Sequence, residues 1–137
     1  ALLVRAFAAR RVEKTYLAVG AVQNGASLAG PTTVDELIQG KAAATEIEAL
    51  AQAADFALLR CKARTGRKHQ VRKHCAALGF PLVGEVSPPK KRVIETSHKG
   101  IMLHAASLRV PGVVDVSCPP PEWWHGVPLG LALDDVL

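Results

Sequence analysis

Between Arg60 and Lys73 the chain carries seven Lys or Arg residues, at 60, 62, 64, 67, 68, 72 and 73, with His69 and Gln70 among them. No Asp or Glu stands between Asp55 and Glu85. Cations at this density suit phosphates, because each neutralised phosphate releases counterions. A solvated helix face could carry the same charge. It would not need the directional hydrogen-bonding groups of His69 and Gln70, nor would it straddle a strand–turn–helix junction. The chemistry to expect is anion recognition at a Gly turn, Thr65–Gly66–Arg67, that opens a basic helix.

Two elements must position these groups. Phe56–Ala63 alternates as a strand, with Leu59, Cys61 and Ala63 set against Arg60, Lys62 and Arg64, which predicts one basic face. Lys68–Leu78 is the clearest helix; Val71, Cys75 and Leu78 form its buried stripe, Gly79 serves as its C-cap and Pro81 prevents resumption. Upstream, Arg11–Val19 is a strand with mixed faces: Val12, Lys14, Tyr16 and Ala18 on one, Glu13, Thr15, Leu17 and Val19 on the other. Residues 1–10 have the spacing of a helix end, 20–30 are turn-rich, 31–33 begin a poorly patterned link and 35–40 form a helical turn or loop. Residues 42–50 enter a strand around Thr45–Leu50, with a short helix as the alternative given the Ala and Glu content. Residues 84–100 form a hinge or loop, with a basic irregular stretch at 88–92 and a brief pairing at Val93–Ile94. Ile101–Val110 is organised and ends at Pro111–Gly112, and 113–118 resumes with strand-like alternation. Trp123 and Trp124, after Pro119–Pro121, suit surface sealing or an interface better than base stacking. No internal repeat is evident. The fold class expected is α+β: a mostly antiparallel sheet with one central basic helix, in a single domain over 1–137.

Composition narrows the functions. With 49% apolar and 21% charged residues, the 137 residues can bury a core rather than remain disordered. The net charge of +5 favours an anionic partner, and at 4% aromatic residues any nucleic-acid contact leans on charge more than stacking. Three cysteines, Cys61, Cys75 and Cys118, give no disulfide framework. Cys61, His69, His74 and Cys75 contain no C-x-x-C pair, and His74 and Cys75, adjacent on a helix, point about 100° apart, so no metal site is expected. No run reaches the about 18 apolar residues of a bilayer span, and no membrane partner is expected. The chain begins without Met and without a secretory signal, in mid-pattern, as a processed chain or a portion of a longer polypeptide would.

Four stretches, taken in order, resemble the RluA-type RNA pseudouridine synthases. Lys14–Thr15–Tyr16 is similar to the family's Lys-x-Tyr strand. Thr65–Gly66–Arg67–Lys68–His69–Gln70–Val71–Arg72–Lys73–His74 is similar to its Thr-Gly-Arg-x-His-Gln-Ile/Leu-Arg-x-His segment, continued by Gly79–Phe80–Pro81–Leu82–Val83–Gly84. Leu103–His104–Ala105 is similar to the late Leu-His-Ala strand, and Pro119–Pro120 to the closing apolar-Pro segment. The resemblance implies that Tyr16 packs on the target base, that Arg72 pairs with the catalytic aspartate and that Leu103 lines the base pocket. It also implies that Arg67, Lys68 and His69 sit beside RNA. Together with the basic residues Lys14, Arg60, Lys62, Arg64 and Lys73, and with Gln70, these make up the expected RNA-binding set.

The family's aspartate lies in an Arg-Leu-Asp-x-x-Thr-Ser-Gly segment that these 137 residues do not contain. By the family's order it would precede residue 1, so the domain is expected to be partial. Neither Asp35 nor Asp55 stands in a matching context, and the family's Gly-Asp after the helix is Gly84–Glu85 here. Two functions follow. One is uridine-to-pseudouridine isomerisation in RNA, ribosomal RNA above all, with the aspartate supplied from outside these residues and with no cofactor implied. The other is a catalytically silent RNA-binding relative acting in ribosome structure or assembly beside ribosomal or assembly proteins, for which a mitochondrial or other organellar matrix is a fitting setting.

Overall fold

A computed structural model describes residues 12–87, 91–92, 100–112, 114–126 and 131. The helix end expected in 1–10 and the pairing expected at Val93–Ile94 lie outside them. Six strands form one sheet: β1 (Glu13–Ala21), β2 (Thr32–Val34), β3 (Thr45–Gln52), β4 (Phe56–Ala63), and, later in the chain, Leu103–Val110 and Val114–Ser117. Between them lie the helix α1 (Gln70–Ala77) and a two-stranded ribbon of β5 (Val86–Ser87) and β6 (Lys91–Arg92), which makes the last two sheet strands β7 and β8. The order across the large sheet is β2-β3-β4-β1-β7-β8, and every neighbouring pair is antiparallel. Among the described residues the fold is α+β, with one α-helix on an antiparallel sheet, as the sequence predicts.

The sheet is apolar on both faces, and each face covers a different part of the chain. On one face Ala18, Ile47, Leu59, Cys61 and Ala63 pack against Val71 and Cys75 of α1 and against Phe80 and Leu82. On the other, Val19 and Leu58 pack against Val83, Met102 and Trp124. Two-sided burial explains why the faces of β1 look mixed in sequence: Ala18 and Val19, consecutive, are both fully buried. Truncating a fully buried Leu such as Leu59 to Ala costs about 2–5 kcal/mol.

The helix ends where the sequence places the end. Gly79, at φ 93°, reverses the chain; its N–H bonds the carbonyl of Ala76 (3.0 Å) and the Phe80 N–H reaches back to that of Cys75 (2.9 Å). This is a Schellman closure, with Phe80 buried against Cys75 in the same apolar cluster. The helix begins later than expected, at Gln70, because Lys68 lies in the turn and His69 is left-handed. Thr45–Gln52 is the strand expected there, held on both sides by β2 and β4, and 35–40 takes the loop alternative, closed by the Ile38–Lys41 bridge. Three further expectations are amended. Residues 32–34, expected as a link, pair with β3, and within 84–100, expected as a hinge or loop, 86–87 and 91–92 pair as β5 and β6. Trp124 is buried in the core, T-shaped against the half-buried Trp123.

Candidate functional site

One end of the α1-side face opens into a cleft of about 390 Å³, within the range of small-molecule pockets. Its floor is apolar: Tyr16 from β1, Leu103 from β7, Ile101 before it, Ala63 from β4 and Val71 from α1. Its rim is cationic and polar, with Lys14, the turn Thr65–Gly66–Arg67, and His69 and Arg72 at the start of the helix.

Local backbone geometry explains how these groups converge. The β1–β7 register shifts between Thr15, opposite Ser107, and Tyr16, opposite Ala105, so β7 carries one extra residue beside Tyr16. Such a bulge bends the strand and re-aims neighbouring side chains. Lys14, two residues before Tyr16, shares its face. The sharp entry to α1 is made by His69, a non-Gly residue at φ 56°, ψ 28°, with no side-chain cap bond. The left-handed region costs a non-Gly residue about 1–2 kcal/mol, and His tolerates it better than bulkier residues do.

Charge shapes the rim further. Arg72 is held by Glu85, its Nε donating to Oε1 at 3.0 Å and an Nη lying 2.9 Å from the same oxygen. Glu85 Oε2 is buried without a hydrogen-bond partner among the described residues. The Arg72 guanidinium, and after it a small desolvation and the ammonium groups of Lys68 and Lys73, lower the His69 pKa below the ordinary 6.5, while Glu85 opposes them. His69 thus offers a neutral imidazole within a cationic rim near pH 7.

The structure brings Lys14, Tyr16, Arg67, His69, Gln70, Arg72 and Leu103 to this one cleft. Lys68 and Lys73 are exposed beside it, and their charges act on His69. Arg60 and Lys62 are different. Strand alternation puts both on the opposite face of the sheet from Cys61 and Ala63, and Arg60 is ion-paired with Glu48 across β3. Arg64 is exposed and lines a smaller recess with Glu13 and Lys62. The basic run is therefore not one surface, because β4 divides it between two faces. Gln70, expected to contact RNA, is 4% exposed and all four of its hydrogen-bonding valences are used inside the protein. Sequence reasoning assigned no role to Thr45 or Glu85. The one available signal was the spacing of Gln70, Val71, His74 and Cys75, which puts two polar residues on the buried helical stripe.

The Cys61 and Cys75 sulfurs lie 3.7 Å apart as free thiols and both ring nitrogens of His74 are engaged by Thr45 and the Glu36 carbonyl; among the described residues no cluster of three or more His, Cys, Asp or Glu side chains could hold a metal ion. Burial and the Cys61 contact push the Cys75 thiol well above its ordinary range, the sulfur contact being the larger cause. Among the described residues no helix is long and apolar enough to cross a membrane.

The fold is an antiparallel sheet with an apolar-floored, cation-rimmed cleft at a strand–turn–helix junction. Comparison with known proteins gives the family. The family model described as RNA pseudouridylate synthase matches residues 2–77, and the chain belongs to that family. It is 36% identical over 88 residues to the uncharacterized RNA pseudouridine synthase YlyB of Bacillus subtilis, covering 61% of this chain and 28% of that protein. It is 30% identical over 144 residues to an uncharacterized RNA pseudouridine synthase of Helicobacter pylori, covering 85% of this chain and 48% of that protein. The solved structure of human RNA pseudouridylate synthase domain containing 1 superposes with a TM-score of 0.68 at 30% identity, over 86% of this chain and 58% of the human one. The chain spans less than two thirds of each of these relatives.

Proposed function

We propose that this chain forms the base-holding and RNA-holding part of a uridine-to-pseudouridine isomerase site, completed by an aspartate outside these 137 residues. The observation that carries the reading is the cleft itself, where a Tyr–Leu floor lies under a rim of Lys14, Arg67, His69 and Arg72. A base taken out of its stack needs an apolar surface to replace its neighbours, and the phosphates that flank it need cations. Tyr16 and Leu103 answer the first need and the rim answers the second. Arg72 suits the role of orienting a catalytic carboxylate. The contacts to Glu85 use Nε and one Nη, and a guanidinium carries five N–H donors in all, which leaves capacity for a second carboxylate approaching from the cleft. The reaction needs a placed nucleophile to open the C1′–N1 bond. The uracil then turns and C1′ bonds to C5 as the nucleophile is released; C5 gives up its hydrogen as a proton while N1 takes one up, so the isomer has the mass of its precursor.

Ribosomal RNA is the substrate class favoured. The Borreliella burgdorferi protein named ribosomal large subunit pseudouridine synthase D is 43% identical over 74 residues, covering 53% of this chain and 22% of that protein. The test is tritium release from RNA transcribed with [5-³H]uridine. The 137 residues alone are expected to bind structured RNA with strong salt dependence and to release no tritium. A longer product carrying the Arg-Leu-Asp segment is expected to release it. Release by the 137 residues alone would remove the outside aspartate from the mechanism, and RNA binding indifferent to salt would remove the cationic rim from it.

A further inference from the structure

Thr45, Gln70 and His74 are the polar side chains buried in the core among the described residues, at 0%, 4% and 1% exposure. They are not scattered but form one connected network. Gln70 Nε2 donates to the Ala44 carbonyl (2.9 Å) and to Thr45 Oγ1 (2.8 Å), and Gln70 Oε1 accepts from Thr65 Oγ1 (2.6 Å) and from the Arg67 N–H (3.1 Å). Two backbone groups of fixed polarity, the Ala44 carbonyl and the Arg67 N–H, allow only one orientation of this amide. His74 closes the chain. Its Nε2 faces the Glu36 carbonyl (2.9 Å), which can only accept, so Nε2 carries a proton. Nδ1 then accepts from the Thr45 hydroxyl (2.8 Å), which itself accepts from Gln70. Every donor meets an acceptor.

An apolar core at these three positions would be simpler, since buried polar groups add stability only when every partner is in place. What the network joins accounts for its presence. It ties the loop between β2 and β3, at Glu36 and Ala44, and Thr45 at the start of β3, to the cleft rim at Thr65 and Arg67. Two further bonds run along the same seam: the Ala44 N–H donates to Thr65 Oγ1 (3.3 Å), and Arg67 Nε donates to the Ala42 carbonyl (2.8 Å). Arg67 is thereby held at both ends, its backbone by Gln70 and its guanidinium by a loop that Gln70 also fixes. We propose that Gln70, Thr45 and His74 are positioning residues that lock this loop to the rim and so aim the Arg67 guanidinium into the cleft. The proposal rests on the reading that the cleft receives RNA, and it assigns to Gln70 an indirect role in place of direct contact.

The experiment is a double-mutant cycle read as the salt slope of binding to an RNA hairpin with a uridine-containing loop. Arg67→Ala in the otherwise unchanged protein is expected to lower the slope of log K against log salt by about 0.7–0.9, the share of one phosphate. In the near-isosteric Gln70→Met background, Arg67→Ala is expected to change the slope no further. Equal changes in both backgrounds would overturn the proposal, because a residue that merely stabilises the fold leaves the Arg67 contact intact. Thr45→Val is expected to repeat the Gln70→Met result and Thr45→Ser, which keeps the hydroxyl, to restore the slope; indistinguishable Thr45 variants would also overturn it. Amide hydrogen exchange needs no RNA and separates the two readings. Gln70→Met is expected to expose the Arg67 and Ala44 N–H groups selectively, and unchanged protection there would count against the network even if RNA binds. Intact protection loss with no RNA binding by the unsubstituted protein would instead refute the functional reading alone.

Discussion

Removing Arg72 should cost more than losing a surface charge, and the structure sets how much more. The side chains of Arg72 and Glu85 are 24% and 20% exposed, so the pair is mostly out of water. Exposed pairs contribute about 0.2–1 kcal/mol, whereas breaking a buried pair costs about 3–5 kcal/mol because one charge stays behind without compensation. Arg72→Ala would leave Glu85 with one oxygen already buried and unpartnered and the other newly so. An intermediate cost of about 2 kcal/mol follows. Glu85→Gln keeps an acceptor for Arg72 and leaves behind the partner that can turn toward the cleft, so about 1 kcal/mol is expected. The double variant should cost no more than Arg72→Ala alone, since the stranded carboxylate is gone. With a urea m-value of about 2 kcal/mol/M, the single Arg72→Ala change moves the midpoint down by about 1 M, well within the precision of a denaturation curve. Additive costs in the double variant would refute the reasoning, and so would a midpoint unchanged by Arg72→Ala.

Other consequences are open to direct measurement. In an NMR titration His69 should titrate below 6.5, rise on Arg72→Ala, and rise again when RNA phosphate occupies the rim; no movement on Arg72→Ala would remove the assigned cause. The linked signs are fixed: a depressed folded value means the unfolded chain binds more protons below 6.5, so stability declines as pH falls through that range, while RNA affinity increases. Gly84→Ala should be severe, at about 3 kcal/mol or more. A Cβ there would stand 2.0 Å from the Gly100 carbonyl oxygen and φ is 88°; a variant with an unchanged melting curve would contradict that close approach. A disulfide-exchange reagent should label Cys118 alone in the native protein and all three cysteines in denaturant, since Cys61 and Cys75 are buried and the Cys75 thiolate is strongly disfavoured. Native labelling of all three would show that α1 does not seal β4.

What could be deduced from sequence depended on how locally each feature is determined. The strand Phe56–Ala63 has the same bounds in sequence and structure because apolar–polar alternation marks it from within. The end of α1 was legible because Gly79 and Pro81 act over a few residues. The strand Thr32–Val34 was not, because three residues at a sheet edge take their conformation from β3 rather than from any pattern of their own. His69 set the helix start two residues late by a left-handed turn that no local preference demands.

The site shows the same division in a sharper form. Seven cations within 14 positions suggest a single patch, but the two-residue period of a strand sends consecutive side chains to opposite faces. Arg60 and Lys62 therefore face away from α1, while the cleft draws its charge from Lys14 on β1 and from Arg67 and Arg72 beyond the turn. Motif order selected Tyr16, Arg72 and Leu103, which belong to three elements, β1, α1 and β7, that the fold brings to one cleft. It could not separate the residues that face the cleft from those that hold it open. Gln70 sits among cations in sequence and among buried partners in space, and the difference is made by residues 36–45, some thirty positions upstream. If recognition depends on that loop as argued, substitutions at Thr45 should alter RNA binding although its side chain is fully buried beneath the cleft rim. A search of the basic surface alone would never select that position.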